Sequence, residues 1–250
     1  MLSFGNAKVP ASGYHVSITR DSRDIEEAQR FRAQRFALPC ARDEDELDAA
    51  CDHILIRDAQ NDAVVCCFRM FKACGADIGK SYAARYYDLT ALEKFDGQIL
   101  ELGRFCIDTD RRDPNILRLA WATLTADVDD NDVKLLFGCS SFAGTDPSVY
   151  QSAFAYLHEH ARAPDRWLPK YKSQEVLCLA TSCAPSVDRR LAFQQMPPLL
   201  RSYIGMWGWV SDHAVIDRRM NTLHVFTAVE TAAIPPARQR LLRALRDAQR

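Results

Sequence analysis

Apolar residues change their spacing several times along the chain, and each change marks an element. Residues 14–19 alternate as a strand does. Asp21 or Ser22 is placed to cap a helix running to about Phe36, with Ile25, Ala28, Phe31 or Arg32, and Arg35 or Phe36 marking its turns. After an acidic connection, two short apolar runs at 53–57 and 64–71 flank Ala59-Gln-Asn-Asp-Ala63, the pattern of a hairpin. A loop rich in Lys, Gly and Tyr at 72–88 and a short helix near Leu92 lead to a strand at 99–107. Asp113-Pro-Asn then opens a helix whose apolar face is Ile116, Leu119, Ala120, Leu124 and Val128. A strand at 135–142 and a helix at 147–162, capped by Asp146, follow. Further on lie a strand-like stretch at 174–180, a Pro-started apolar helix at 197–206 and a strand at 223–229, with no internal repeat.

This order predicts an α/β fold with a mixed central sheet and helices on both faces. A single domain is expected, with a core at 14–165, a C-terminal part at 166–250 completing the sheet, and a basic tail at 236–250. Apolar residues make up 48% of the 250, and 32 Lys and Arg nearly balance 33 Asp and Glu, which excludes disorder and a strongly basic nucleic-acid binder. The N-terminus lacks a secretory pattern and no apolar run is long enough to span a bilayer, so a cytoplasmic protein is expected. Nine cysteines form no Cys-x-x-Cys pair, and His158-Glu-His160, His53, His213 and His224 have no ligand spacing, so neither disulfides nor a metal site is expected.

One strand breaks the apolar rule. Glu101-Leu-Gly-Arg104-Phe-Cys-Ile107 places a carboxylate and a guanidinium in a stretch that otherwise reads as core. Such groups are costly to bury unless they pair, bind a ligand or do chemistry.

A set of motifs in fixed order carries a family resemblance. They are Arg32-x-x-x-Phe36, Asp45-x-x-Asp48-x-x-Cys51-Asp52-His53, Phe68-Arg69, Ser81-Tyr82, Glu101-Leu-Gly-Arg104-Phe-Cys, Phe137-Gly-Cys-Ser-Ser-Phe-Ala-Gly-Thr-Asp-Pro147, Pro197-Pro-Leu-Leu-Arg-Ser-Tyr203, Ala214-Val-Ile-Asp217 and Asn221-Thr222. Together they span most of the chain, and the order resembles the GCN5-related N-acyltransferase (GNAT) fold. It resembles in particular the branch of acyl-homoserine-lactone synthases and ornithine-acyl-carrier-protein N-acyltransferases. The Phe-Gly-Cys-Ser-Ser-Phe run and the late Pro-Pro-Leu-Leu block point to the ornithine-lipid enzymes. Ala37-Leu-Pro-Cys-Ala-Arg42 stands where the family has a Val-Glu-Glu type run, which leaves ornithine and glutamine both open as acceptors.

The resemblance implies strands splayed after the one at 99–107, and transfer of a 3-hydroxyacyl chain from acyl-carrier protein to an amino-acid α-amine. No permanent cofactor is implied; the donor is the phosphopantetheine arm of the carrier protein. Glu101 is the expected base, with Arg104 beside it and a bulge at Gly103, because a mostly protonated amine must lose a proton to attack. Pairing of Glu101 with Arg69 or Arg104 as plain structure is the alternative. Arg32, Phe36, Asp48, Asp52 and Arg69 form the expected acceptor site. The arginines either take the acceptor carboxylate or hold the acidic loop, and Asp45 alone reads as part of a solvated turn. Ile107, Arg111, Arg112, Asn115, Ser140, Ser141 and Phe142 are expected to take the phosphopantetheine and acyl chain. The stretch at 111–117 lacks the glycines that let a backbone approach a pyrophosphate, which favours the carrier protein over coenzyme A.

Cys106 and Cys139 read as small core residues rather than nucleophiles. Leu199, Leu200, Tyr203, Ile204, Met206, Trp207 and Trp209 are placed to line an acyl slot or touch a bilayer. The tail, with five arginines against one aspartate from Ala237 on, suits an acidic carrier protein or peripheral contact with an anionic membrane. A non-catalytic acyl-binding protein would keep the slot without needing Glu101.

Overall fold

The computed structural model describes residues 13–108, 110, 111, 113–181 and 187–247. The chain divides into two units, one of residues 1–72, 102–132 and 239–250, the other of 73–101 and 133–238.

In the first unit, β1 (Tyr14–Thr19), β2 (Asp52–Asp58) and β3 (Val64–Cys74) pair antiparallel in that order, and β5 (Gln98–Ile107) follows β3. The Asp108 amide donates to the Val65 carbonyl at 2.8 Å where β5 ends. Helix α1 (Ser22–Arg35) starts where its cap predicts: Asp21 accepts from the Arg23 amide at 2.8 Å. Helix α2 (Pro114–Asp130) is capped by Asp113 with Pro114 in its first turn, where a missing N–H costs nothing. Ala28 and Phe31 of α1 pack on Leu55, Val64, Cys67 and Cys106, and half-buried Phe36 closes this core. The kink expected at Gly103 falls one residue later, where Arg104 adopts φ 54°. Gly103 serves another end: a Cβ there would lie 3.4 Å from Arg69 Nε.

In the second unit the strand order is β5, β6 (Val133–Ala143), β10 (Thr222–Glu230), β9 (Trp209–Asp217) and β8 (Val176–Cys178). The β5–β6 pair is parallel and its register runs from Gln98↔Val133 to Glu101↔Phe137; the other pairs are antiparallel. This is the mixed α/β sheet expected. Helices α3 (Gln151–His160), α4 (Arg189–Gln195) and α5 (Pro198–Gly205) cover one face through Phe142, Phe154, Leu157, Leu200, Ala214 and Val225. The other face carries Phe137, Val215 and Phe226 beneath Ile78, Tyr87 and Leu92 of the connection that follows β3. That connection holds 3₁₀ turns at Gly75–Lys80, Ala83–Arg85 and Thr90–Lys94, and the two-residue β4 (Tyr87–Asp88), which pairs with β7 (Lys170–Tyr171). Helix α6 (Pro236–Asp247) ends the described chain. In the first unit's share of it, Arg243 and Arg246 pair with Asp129.

Several elements differ from the sequence reading. The helix expected at 147–162 begins as a 3₁₀ turn, Pro147–Tyr150, and its α-helical part stops at His160. The strand expected at 174–180 is only Val176–Cys178. Strand β9 and helix α4 were not foreseen. In β9 the polar Ser211 and His213 are fully buried, which spoils the alternation that reveals a strand.

Candidate functional site

Three arginines and three aspartates of the first unit close into a ring. Arg32 Nε lies 3.0 Å from Asp43 Oδ2, which lies 2.8 Å from Arg104 Nε. Arg104 Nη2 is 3.3 Å from Asp45 Oδ2, itself 3.2 Å from Arg69 Nη2. Arg69 Nη1 is 2.7 Å from Asp48 Oδ1, and Asp48 Oδ2 returns to Arg32 Nη2 at 2.8 Å. All six side chains are buried, so each charge must be matched locally, and the alternation of signs does that. Local structure sets the acids. Asp45 caps the 3₁₀ turn Glu46–Ala50 by accepting from the Leu47 amide, and Asp48 accepts from the Asp45 amide in return, a capping box. Gln29 Nε2 donates to Asp48 at 2.9 Å, and His53 Nε2 reaches the Asp48 carbonyl at 3.0 Å. Burial pushes the Asp48 carboxyl up, but the Arg32 hydrogen bond and charge, the Gln29 bond and the Arg69 charge outweigh it and hold the group far below the usual carboxylate range.

The ring brings together Arg32, Asp48, Arg69 and Arg104. It corrects the reading of Asp45 as a solvated residue, since its side chain is 3% exposed. Asp43 was missed; it lies in the acidic run Asp43-Glu-Asp45 that the sequence reading passed over as a connection. Asp52 stands apart from the ring, paired with Arg20 at 2.6 Å and Lys72 at 3.0 Å. Among the expected phosphopantetheine residues of this unit, Arg111 pairs with Asp58, and the Asn115 amide donates to Asp113 at 2.8 Å as the second residue of α2. Ile107 is half-buried at the end of β5, and Arg112 lies outside the described residues.

Glu101 ends the parallel ladder of the second unit with 3% of its surface exposed. Its carboxylate accepts from the Tyr82 amide at 2.8 Å and the Ala83 amide at 2.7 Å. Two short charge-assisted bonds orient both oxygens. Burial, together with the charge of Glu101, pushes the Tyr203 phenol far up, so it stays protonated.

On β6, Ser140 is buried and Ser141 exposed, as alternation requires, and Phe142 is core beside Phe154. Burial also pushes the Cys106 thiol well up, and its sulfur lies 3.6 Å from that of Cys67, which suits packing and not nucleophilic attack. Of the residues expected in an acyl slot, Leu200, Tyr203 and Met206 are buried, whereas Trp209 belongs to the opposite core. Trp207 is 70% exposed at φ 64°, so it points into solvent and lines no slot.

A second polar group in this unit escaped the sequence reading. Tyr82 and Tyr86 hydroxyls lie 3.1 Å apart, and Tyr86 donates to Asp217 Oδ2 at 3.1 Å. Tyr87 donates to the His224 carbonyl at 2.7 Å and meets His224 Nδ1 at 3.1 Å. His213 and His224, eleven positions apart in sequence, both pack against the Tyr87 ring. Burial drives the His224 imidazole down to about 4, despite the pull of Asp217 in the other direction. Three different segments supply these residues. The Ser81-Tyr82 and Ala214-Val-Ile-Asp217 motifs were the available signal. No cluster of three or more His, Cys, Asp or Glu suited to a metal occurs among the described residues, and none of their helices is long and apolar enough to cross a membrane.

The Acetyltransferase (GNAT) domain model matches residues 27–122. A curated L-ornithine N(alpha)-acyltransferase of Rhodobacter capsulatus is 33% identical over 245 residues, covering 91% of this chain and 93% of that protein. One from Brucella abortus is 28% identical, covering 74% of this chain and 69% of that protein. The crystal structure of TofI in an apo form aligns with 93% of this chain and 98% of its own at 14% identity, with a TM-score of 0.50, a likeness of fold.

Proposed function

Because the chain belongs to the L-ornithine N(alpha)-acyltransferase family, we propose that it moves a 3-hydroxyacyl chain from the phosphopantetheine thioester of acyl-carrier protein to the α-amine of ornithine. The observation that carries this reading is the oriented, buried carboxylate of Glu101 at the end of the parallel ladder. Near neutral pH an α-amine is mostly protonated, with a pKa of about 7.7–8. Glu101, directly or through a water, accepts the proton that the amine must lose. The nitrogen then attacks the thioester carbonyl, the C–N bond forms, the C–S bond breaks, the nitrogen gives up its second proton, and the thiolate leaving with the phosphopantetheine arm takes that proton up. No covalent enzyme intermediate is required, which agrees with the buried, protonated Cys106.

The ring is a framework of the first unit. Since Arg32, Arg69 and Arg104 already share Asp43, Asp45 and Asp48, the acceptor's carboxylate would have to displace a buried partner to reach them. Of the residues expected at the acceptor, we retain Arg32, Asp48 and Arg69 as framework, together with Arg104, which was expected beside the base, and Phe36 as core, with Asp52 in a separate pairing to Arg20 and Lys72. Exposed Ser141 remains a candidate for the donor's amides, and the glycine-poor start of α2, with Arg111 and Asn115, supports a carrier protein over coenzyme A.

The test is release of carrier-protein thiol by the purified chain given 3-hydroxyacyl-carrier protein. Thiol should appear only when ornithine is added, in equal amount to the ornithine consumed and without an initial burst. Thiol released without an amine, or none in its presence, would contradict the proposal.

A further inference from the structure

Asp217 is a buried carboxylate, 6% exposed, whose partners are the Tyr86 hydroxyl and the Met220 amide. Among the described residues it has no cationic partner, in contrast to the ring, where every aspartate has two. A buried anion without a counter-charge is costly, and a ligand cation removes that cost.

A second observation points to the same place. Tyr87 has one hydroxyl proton, and the His224 carbonyl takes it at 2.7 Å. His224 Nδ1 therefore carries the proton in its contact with the Tyr87 oxygen, and Nε2 is left as a lone-pair acceptor. That Nε2 is buried and has no hydrogen-bond partner. Strand register puts the two residues on one face. His224 pairs with Val215 and Thr222 with Asp217, so His224 and Asp217 are diagonal neighbours on one face of β9 and β10, about 7–8 Å apart.

We propose that Asp217, Tyr86 and His224 Nε2 receive the side-chain ammonium of the acceptor amino acid. The inference rests on the acyl-transfer reading of Glu101 and names what selects ornithine. An ammonium has three donors and a charge; the site offers a carboxylate and a neutral imidazole acceptor. A neutral hydroxyl or amide would satisfy Nε2 but leave Asp217 uncompensated. Tyr82 links this site to the chemistry. Its amide donates to Glu101 and its hydroxyl meets that of Tyr86, whose own hydroxyl donates to Asp217.

The test compares ornithine with norvaline, which has the same carbon skeleton without the side-chain amine. Binding is measured by calorimetry on the full-length protein, and turnover with a 3-hydroxyacyl-carrier protein donor. Wild type should bind ornithine about 100-fold more tightly than norvaline, the scale of one buried charge pair. Asp217→Asn should bring that ratio to within about threefold, Asp217→Glu should retain part of it, and His224→Asn, which keeps a donor toward Tyr87 but not Nε2, should reduce it about tenfold. Equal affinity of wild type for both amino acids, or equal loss of both in Asp217→Asn, would overturn the subsite. Discrimination in binding with no product from any acceptor would support the subsite and overturn the acyl-transfer reading. Should Asp217→Asn fail to fold, Asp217→Glu and His224→Asn carry the comparison, and an unchanged ratio in His224→Asn overturns the proposal.

Discussion

Glu101→Ala should lower turnover on ornithine by about 10²–10⁴-fold near neutral pH, the usual contribution of a positioned general base. The loss should shrink as the pH rises past about 8, because the α-amine then supplies its own unprotonated form. Glu101 also has a structural task, and the two must be separated. Removing its carboxylate strands the Tyr82 and Ala83 amides, each buried orphan donor costing about 1–3 kcal/mol. Such damage does not depend on the ionisation of the amine, so it cannot produce recovery at high pH. Glu101→Gln sharpens the comparison: it keeps the volume and one acceptor oxygen but turns an NH₂ toward one of the two amides. Turnover measured across pH, alongside thermal unfolding of each variant, separates the roles. Wild-type-like turnover in Glu101→Ala would remove the base from the mechanism, and a loss constant with pH would leave only the structural task.

The second large effect is on stability. Asp48→Ala should destabilise the protein by about 3–5 kcal/mol, because it leaves Arg32 and Arg69 buried with one acid each. For a chain of this length that corresponds to a fall in melting temperature of roughly 6–20 °C. Asp52→Ala should cost less, about 1 kcal/mol, since its partner Arg20 is largely solvated and Lys72 keeps Asp127. The same acid gives the ring a pH dependence of definite sign. The carboxyl of Asp48 lies below its unfolded value, so its contribution is complete above about pH 4 and is lost progressively as the pH falls toward the folded value. Wild type should therefore lose stability steeply in that acid range, and Asp48→Ala should lose less. Thermal melts of both across pH 2–7 check this; parallel curves would contradict the assignment.

The sequence showed most clearly what local chemistry determines. Asp21, Asp113 and Asp146 begin their helical segments, because a cap needs only its own turn. Glu101 was conspicuous because a carboxylate in an apolar strand needs a reason to be there. Asp45 and Asp48, three positions apart, meet in a capping box. What the sequence concealed depends on distant segments meeting. The ring closes only through Asp43 and Arg104, 61 positions apart, and no periodicity links them. Strand β9 was hidden because Ser211 and His213 occupy its buried side, and with it went the register that sets Asp217 beside His224. The turn at Arg104, in place of Gly103, shows the limit of reading a glycine as a bend: here it makes room for Arg69.

The central claim is α-N-acylation of ornithine, and one competition tests it most directly. Purified protein is given 3-hydroxyacyl-carrier protein with equal amounts of ornithine and glutamine, and the products are fragmented by tandem mass spectrometry. The account predicts a single main product, ornithine carrying the hydroxyacyl chain on its α-nitrogen. Acylation of glutamine in comparable amount, attachment at the side-chain nitrogen, or no acylated amino acid at all would contradict it.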